Sequence, residues 1–324
     1  MQEYFHPCTP AFRQRIFAES VKKSAPPHNA RIIVNPAAGR GRARRALRRI
    51  TASFAAERIT GVVTTECAGD EFRLAQQAIA DGIETIVAVG GDGTCSRIAA
   101  AIVEAGSSCR VGVVPLGTGN DFAKTLGVLG RSFSEIARLC AGTGIARMDV
   151  GVADGIHFLN GCGFGIDPEI LATALSVRWL RGNAVYIAAA LTKLFSYRGF
   201  SVRSETSRSD AAVKMMLTVS NGRNLGGAFK IAPVASVCDG MLDVHIFEDA
   251  SAAGRLRIFL ATMRGRHTSL PEVSHETHSS LELTFDSPPA MEVDGELRQA
   301  RGARVLIECL PGALSVVAAP GFPL

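Results

Sequence analysis

Residues 90–94 read Gly90-Gly91-Asp92-Gly93-Thr94 and follow a short apolar run that includes β-branched Val87 and Val89. Such a run reads as a buried central strand. Glycines without Cβ let the backbone come into contact with a bulky group. Behind the loop, residues 96–104 have helical spacing, with Ile98, Ile102 and Ala105 on one face. A strand, a glycine turn and a helix N-terminus together make an anion site, because free N–H groups and the helix dipole both favour phosphate. Asp92 is the odd member. A carboxylate repels phosphates unless a divalent cation stands between, so the pentapeptide points to a Mg2+-nucleotide more than to bare phosphate. A tight turn in an ordinary α/β domain would use the same residues.

Other loops carry further polar groups. Asn35 follows a strand-like run, residues 32–34, and its amide could orient a phosphate or a ribose, or form a turn before Pro36. Thr118, between Gly117 and Gly119, could hydrogen-bond phosphate through hydroxyl and backbone, while Asn120 or Asp121 suits a helix N-cap. Six arginines fall between Arg40 and Arg49, and Arg42, Arg45 and Arg49 share a face opposite Leu47 and Ile50. That face is either solvated or a contact for anionic lipid or phosphate. Asp239-Gly240 and Asp294-Gly295-Glu296 read locally as turns.

The elements that must position these groups alternate. Strands are expected at 32–34, 61–65, 85–89 and 110–114, with helices at 42–56, 70–80 and 96–104 and another after Asp121. This spacing means a parallel sheet covered on both faces. Three of the four strands end in loops rich in Gly, Asn and Thr, which should line one cleft at the carboxyl edge. After about Arg147 the period changes. Strands are expected at 148–152, 157–160, 213–220, 242–247, 280–285 and 304–309, and helices around 168–179, 182–195 and 253–264. With turn signals at Asn221-Gly222, Asp239-Gly240 and Asp294-Gly295, this half reads as mainly antiparallel. The expected division is a loosely ordered arm at 1–28, a nucleotide-binding α/β domain at 29–147, a β-rich domain at 148–310, and a C-terminal segment at 311–324 returning to the first domain.

Composition narrows the function classes. With 324 residues, 47% hydrophobic and 20% charged, the chain is that of a globular protein of about two domains. The longest apolar stretch, 184–191, is too short to cross a bilayer, and no secretory signal opens the chain. Eight cysteines without a CxxC pair suit reduced thiols in the cytoplasm. A net charge of +5 permits contact with an anionic surface. Three Tyr and one Trp offer few stacking platforms, so nucleic acid is not an expected partner.

GGDGT at 90–94, NPAAGRG at 35–41 and PLGTGNDFA at 115–123 together resemble the diacylglycerol kinase catalytic-domain superfamily, and above all its small soluble bacterial lipid kinases. FLNGCGFGID at 158–167, the segment 220–247 and VDGE at 293–296 extend the likeness. The resemblance implies a phosphofructokinase-like α/β N-terminal domain with a parallel sheet and a β-sandwich-like C-terminal domain. It implies an ATP-dependent lipid kinase with Mg2+, a lipid acceptor, and peripheral contact with an anionic membrane from the cytoplasm. Carried onto this chain, Gly90, Gly91, Asp92, Gly93, Thr94, Cys95 and Ser96 would hold ATP phosphates, with Asp92 acting through Mg2+. Asn35, Thr65 and Thr118 would also belong to the nucleotide site, Glu296 would accept the proton of the lipid hydroxyl, and Asp239 would bind a structural Mg2+ with main-chain oxygens of Ser236 and Met241. The family usually continues GGDGT with an apolar residue, Asn and Glu, whereas Cys95, Ser96 and Arg97 follow here. A NAD kinase, which shares GGDGT, and a non-catalytic nucleotide or lipid sensor are the alternatives. The acceptor lipid is not encoded in any motif.

Overall fold

A computed structural model describes residues 28–176, 183–204 and 213–322. Apart from His28, the expected N-terminal arm lies outside the described residues, as do Trp179 and Gly182 at the ends of two expected helices. In the N-terminal lobe, β1 (Ala30–Val34), α1 (Ala38–Ala56), β2 (Gly61–Thr64), α2 (Asp70–Ala80), β3 (Thr85–Gly90), α3 (Asp92–Glu104) and β4 (Arg110–Pro115) alternate. The strands pair in parallel in the order β2-β1-β3-β4. β3 is buried along its whole length, as a central parallel strand covered on both faces must be. Its Ile86 and Ala88 pack with Ile98 and Ile102 of α3, and its Val87 and Val89 with Ile50 and Phe54 of α1. Gly39, Arg40 and Gly41 have φ of 59°, 58° and 80°, a left-handed turn, so regular helix begins only at Arg42. Two short helices follow, α4 (Asp121–Thr125) and α5 (Phe133–Ala141). The second was not expected from periodicity, yet Ser132 and Glu135 form a reciprocal capping box whose S-x-x-E spacing is visible in the sequence.

The C-terminal lobe begins with β5 (Ala146–Ala153), β6 (Ile156–Phe158) and β7 (Gly161–Gly165), then α6 (Ile166–Ser176) and α7 (Asn183–Ser196). After β8 (Val202–Ser204), β9 (Lys214–Ser220) and β10 (Leu242–Glu248) come α8 (Ala252–Met263), β11 (Val273–His278) and β12 (Ser280–Phe285). The hairpin β13 (Ala290–Val293) and β14 (Glu296–Gln299) precedes the long β15 (Arg304–Val316). One sheet, β11-β10-β9-β7-β13-β14, is antiparallel throughout. The other consists of β5, β6, β8, β12 and β15 and continues the N-terminal sheet, because Ser315 and Val316 pair in parallel with β4. Phe158, Phe164, Leu217, Leu283, Phe285 and Ile307 fill the space between the two sheets. The architecture is therefore α/β with a parallel sheet, followed by an antiparallel, β-sandwich-like lobe. β15 crosses residue 310 without a break in the strand, and its register against β5 shifts between Leu310 and Leu314. Beyond it, the Ala319 N–H donates to Leu126 O, so the chain ends against the N-terminal lobe.

Candidate active site

The loops after β1, β3 and β4 meet at the carboxyl edge. The Leu116 and Gly117 N–H groups both donate to Gly90 O, at 2.7 and 3.0 Å. Gly91 and Gly117 touch so closely that a Cβ on Gly91 would stand 2.9 Å from Gly117 Cα, which is the physical demand for glycine there. Gly91 is the extended N-cap of α3 and offers no side-chain cap, so the first N–H groups of that helix face the cleft. Asn35 is a brace within the loops. Its amide donates to Glu71 Oε1 (2.9 Å) and Thr94 Oγ (3.3 Å), and its carbonyl oxygen accepts from Ala37 N–H. Cys95 is buried in the core and its N–H donates to Gly91 O, so the expected phosphate contact at this residue has no free group in the fold. Thr118 is exposed and lines the cleft. Thr65 is buried at the end of the edge strand β2, with its N–H donating to Val34 O, and lines neither cavity described below.

Three carboxylates converge behind the loop. Asp92 Oδ1 accepts from Phe122 N–H at 2.9 Å, while Oδ2 is directed at Gly119, whose Cβ, if present, would lie 3.1 Å away. Enclosure by protein, then the nearby Asp121 and, less, Asp294, pushes the Asp92 carboxyl up to about 7. Asp121 accepts from Gly227 N–H (2.8 Å) and from Lys124 Nζ (2.6 Å), which ties α4 to the C-terminal lobe. Asp294 is buried and collects the N–H groups of Leu159, Asn160 and Gly161, at 2.7, 2.8 and 3.2 Å, and the Ser96 hydroxyl at 2.6 Å. The Asp121 and Asp294 oxygens are already taken by N–H, ammonium and hydroxyl donors, so of the three Asp92 is the carboxylate suited to a hard divalent cation such as Mg2+, whose other ligands would come from outside this trio.

Glu296 opens β14, and a Cβ on Gly93 would lie 3.3 Å from its Oε1. The expected acceptor base therefore stands at the first turn of α3. Arg97 of α3 pairs with Oε1 and Arg298 with Oε2. Arg97 also lies 3.5 Å from Glu71, which is buried. Neither Glu71 nor Asp121 was singled out for chemistry in the sequence; an acid followed by an apolar helix face carries no distinguishing pattern.

The polar cleft, lined by Asp92, Thr118, Gly119, Asp121 and Asn160 among others, shares Tyr186, Leu225, Gly226 and Gly295 with an apolar cavity. Ile166, Ile170, Leu194, Met215, Phe229 and Phe259 line the cavity. Asp167 and Glu292 also face it, and burial raises both carboxyls, Asp167 to about 6 and Glu292 further. Elsewhere, Asp239 is exposed, with Oδ1 accepting from Met241 N–H at 3.1 Å, and the Ser236 hydroxyl accepts from Cys238 N–H at 3.4 Å. Among the described residues, no group of three or more His, Cys, Asp or Glu side chains is arranged to hold a metal, so an ion at Asp239 would depend on main-chain oxygens. On the arginine helix, Arg42 donates to Gly117 O at 2.5 Å and Arg49 lies over the Phe133 ring, which leaves Arg45 the most solvent-facing of the expected trio.

Residues 29–153 match a family described as the diacylglycerol kinase catalytic domain, and residues 161–318 one described as the YegS C-terminal NAD kinase beta sandwich-like domain. The chain is 30% identical to a Bacillus subtilis diacylglycerol kinase over 271 residues, covering 82% of this chain and 89% of the relative. It is 32% identical over 258 residues to a probable lipid kinase YegS-like of Xanthomonas euvesicatoria, covering 76% and 82%. A crystal structure of a putative diacylglycerol kinase from Bacillus anthracis superposes with a TM-score of 0.74 at 25% identity, covering 90% of this chain and 97% of that one.

Proposed function

Because this chain belongs to the diacylglycerol kinase family of lipid kinases, we propose that it transfers the γ-phosphoryl group of ATP to the hydroxyl of a membrane lipid. The observation that carries this reading is the uncapped N-terminus of α3 with Asp92 in a polar cleft that adjoins an apolar cavity, and Glu296 against Gly93 of the same first turn. The N–H groups of the 90–94 loop and Thr118 would position the phosphates, and Asp92 would hold Mg2+, which would supply charge neutralisation for the phosphates. Glu296 takes the acceptor proton as the lipid oxygen forms its bond to phosphorus and the bond to ADP breaks. Each Glu296 oxygen is paired with one arginine, which leaves lone pairs for the lipid hydroxyl. The apolar cavity suits acyl chains. A non-catalytic sensor would have no use for Glu296 at the phosphate loop.

Among the described residues, no helix is long and apolar enough to cross a membrane. We read the protein as cytoplasmic and as meeting an anionic membrane through the exposed arginines of α1, Arg45 with Arg44 and Arg48. The test is radiolabelled ATP with vesicles containing diacylglycerol, phosphatidylglycerol, ceramide or a sphingoid base, with and without anionic carrier lipid. One acceptor should be labelled, faster on anionic vesicles. Asp92→Asn should lower kcat about 100-fold or more. Normal turnover in that variant overturns the role of Asp92, and equal rates on neutral vesicles overturn the membrane contact.

A further inference from the structure

Arg97 of α3 bridges the lobes through its pairs with Glu71 and Glu296. Its partner Glu71, on α2, is 1% exposed and also receives the Asn35 amide at 2.9 Å and the Thr94 hydroxyl at 3.3 Å. Glu71 Oε2 is buried and receives no hydrogen bond, so the Arg97 guanidinium 3.5 Å away supplies its counter-charge and is held there by that attraction. The same guanidinium pairs with Glu296, 199 residues further along the chain. We propose that Arg97 is a positioning residue, which relays the place of the phosphate loop to Glu296 across the cleft. The proposal rests on the reading of Glu296 as acceptor base.

Two physical arguments support it. Asp294 lines the same hollow as Glu296, and Asp92 and Asp121 stand in the adjoining cleft, so carboxylates repel Glu296 from one side. A cation anchored on the N-terminal lobe draws Glu296 against that repulsion. Arg298 cannot do this, because it sits two residues along the same strand and travels with Glu296. Arg97 instead belongs to α3, the helix whose N-terminus would face the phosphates, so its pair with Glu296 refers the base on β14 to that helix.

The test is steady-state kinetics of the full chain on whichever of the four acceptor vesicles above is labelled. Arg97→Gln should lower kcat about 10- to 100-fold, the usual consequence of a misplaced catalytic group, with ATP KM changed less than about threefold. Arg97→Lys should recover most of the rate. Added to Glu296→Gln, Arg97→Gln should cost less than about twofold more, because its effect runs through a base already removed. If Arg97→Gln unfolds for want of a partner to Glu71, the paired Glu71→Gln/Arg97→Gln variant removes both charges and should show the same kcat loss at a restored melting temperature. Additive losses, or a full rate in either variant, overturn the relay. A Glu296→Gln enzyme with normal kcat, or wild type that labels none of the lipids, overturns instead the reading beneath it.

Discussion

Two Asp-Gly steps of the C-terminal lobe look alike in sequence and behave differently in the fold. Asp294-Gly295 is a two-residue hairpin turn between β13 and β14, with φ of 46° and 85°. Asp239-Gly240 is also a turn, with Gly240 at φ 73°. In both, the dipeptide supplies the left-handed backbone that a tight reversal needs. Their carboxylates differ. Asp294 is 5% exposed and gathers three backbone N–H groups from 159–161 and the Ser96 hydroxyl of the other lobe. Asp239 faces solvent and caps the N–H two residues on. A turn signal thus fixes the path of the chain and says nothing of what the side chain does once another segment lies against it.

The largest effect should come from Asp294→Ala. It strands several buried donors at once and should cost about 4 kcal/mol, with loss of activity as the hairpin carrying Glu296 loosens. Asp294→Asn keeps an acceptor oxygen and should recover about half. Denaturant midpoints decide the matter, and a wild-type midpoint for the alanine variant would make the two turns equivalent.

Asp92-Gly93 is a third such step, at a helix start, and extends the contrast to a strained carboxylate. Its carboxyl is raised from 3.8 to about 7. The folded state therefore holds that proton more tightly than the unfolded state, and the associated stability, complete below pH 3.8, is lost as pH rises through 7. Without Mg2+, Asp92→Asn should gain about 2 kcal/mol relative to wild type between pH 4 and pH 8. Mg2+ should raise the wild-type melting temperature more than the variant's. Parallel pH–stability curves would remove Asp92 from the acid cluster.

The smallest effect belongs to Asp239→Ala, about 0.5 kcal/mol in EDTA. If Asp239 and the main chain of Ser236 and Met241 hold a structural Mg2+, the rise in melting temperature with Mg2+ should be smaller in the variant than in the wild type. Identical melts of both proteins, with and without the ion, would leave Asp239 a turn residue alone.

What the sequence by itself determined is local. β3, the glycine loop and α3 follow from a run of β-branched residues, a break and a helical period, all within about twenty residues; Asp92 and its loop were legible for that reason. So were the alternation of the first half, its change after Arg147, and the hairpin at Asp294-Gly295. Only the tertiary structure decided that β15 would join β4 and make one sheet of two lobes, that Asn35 would brace Thr94 and Glu71, and that Arg42 would turn to Gly117. The same holds for the Ser96–Asp294 and Arg97–Glu296 contacts, 198 and 199 residues apart in the chain. Periodicity reports which face of an element is apolar. The partner of a polar side chain depends on which distant backbone and charges the packed lobes bring within a few ångströms, and no spacing along the chain encodes that.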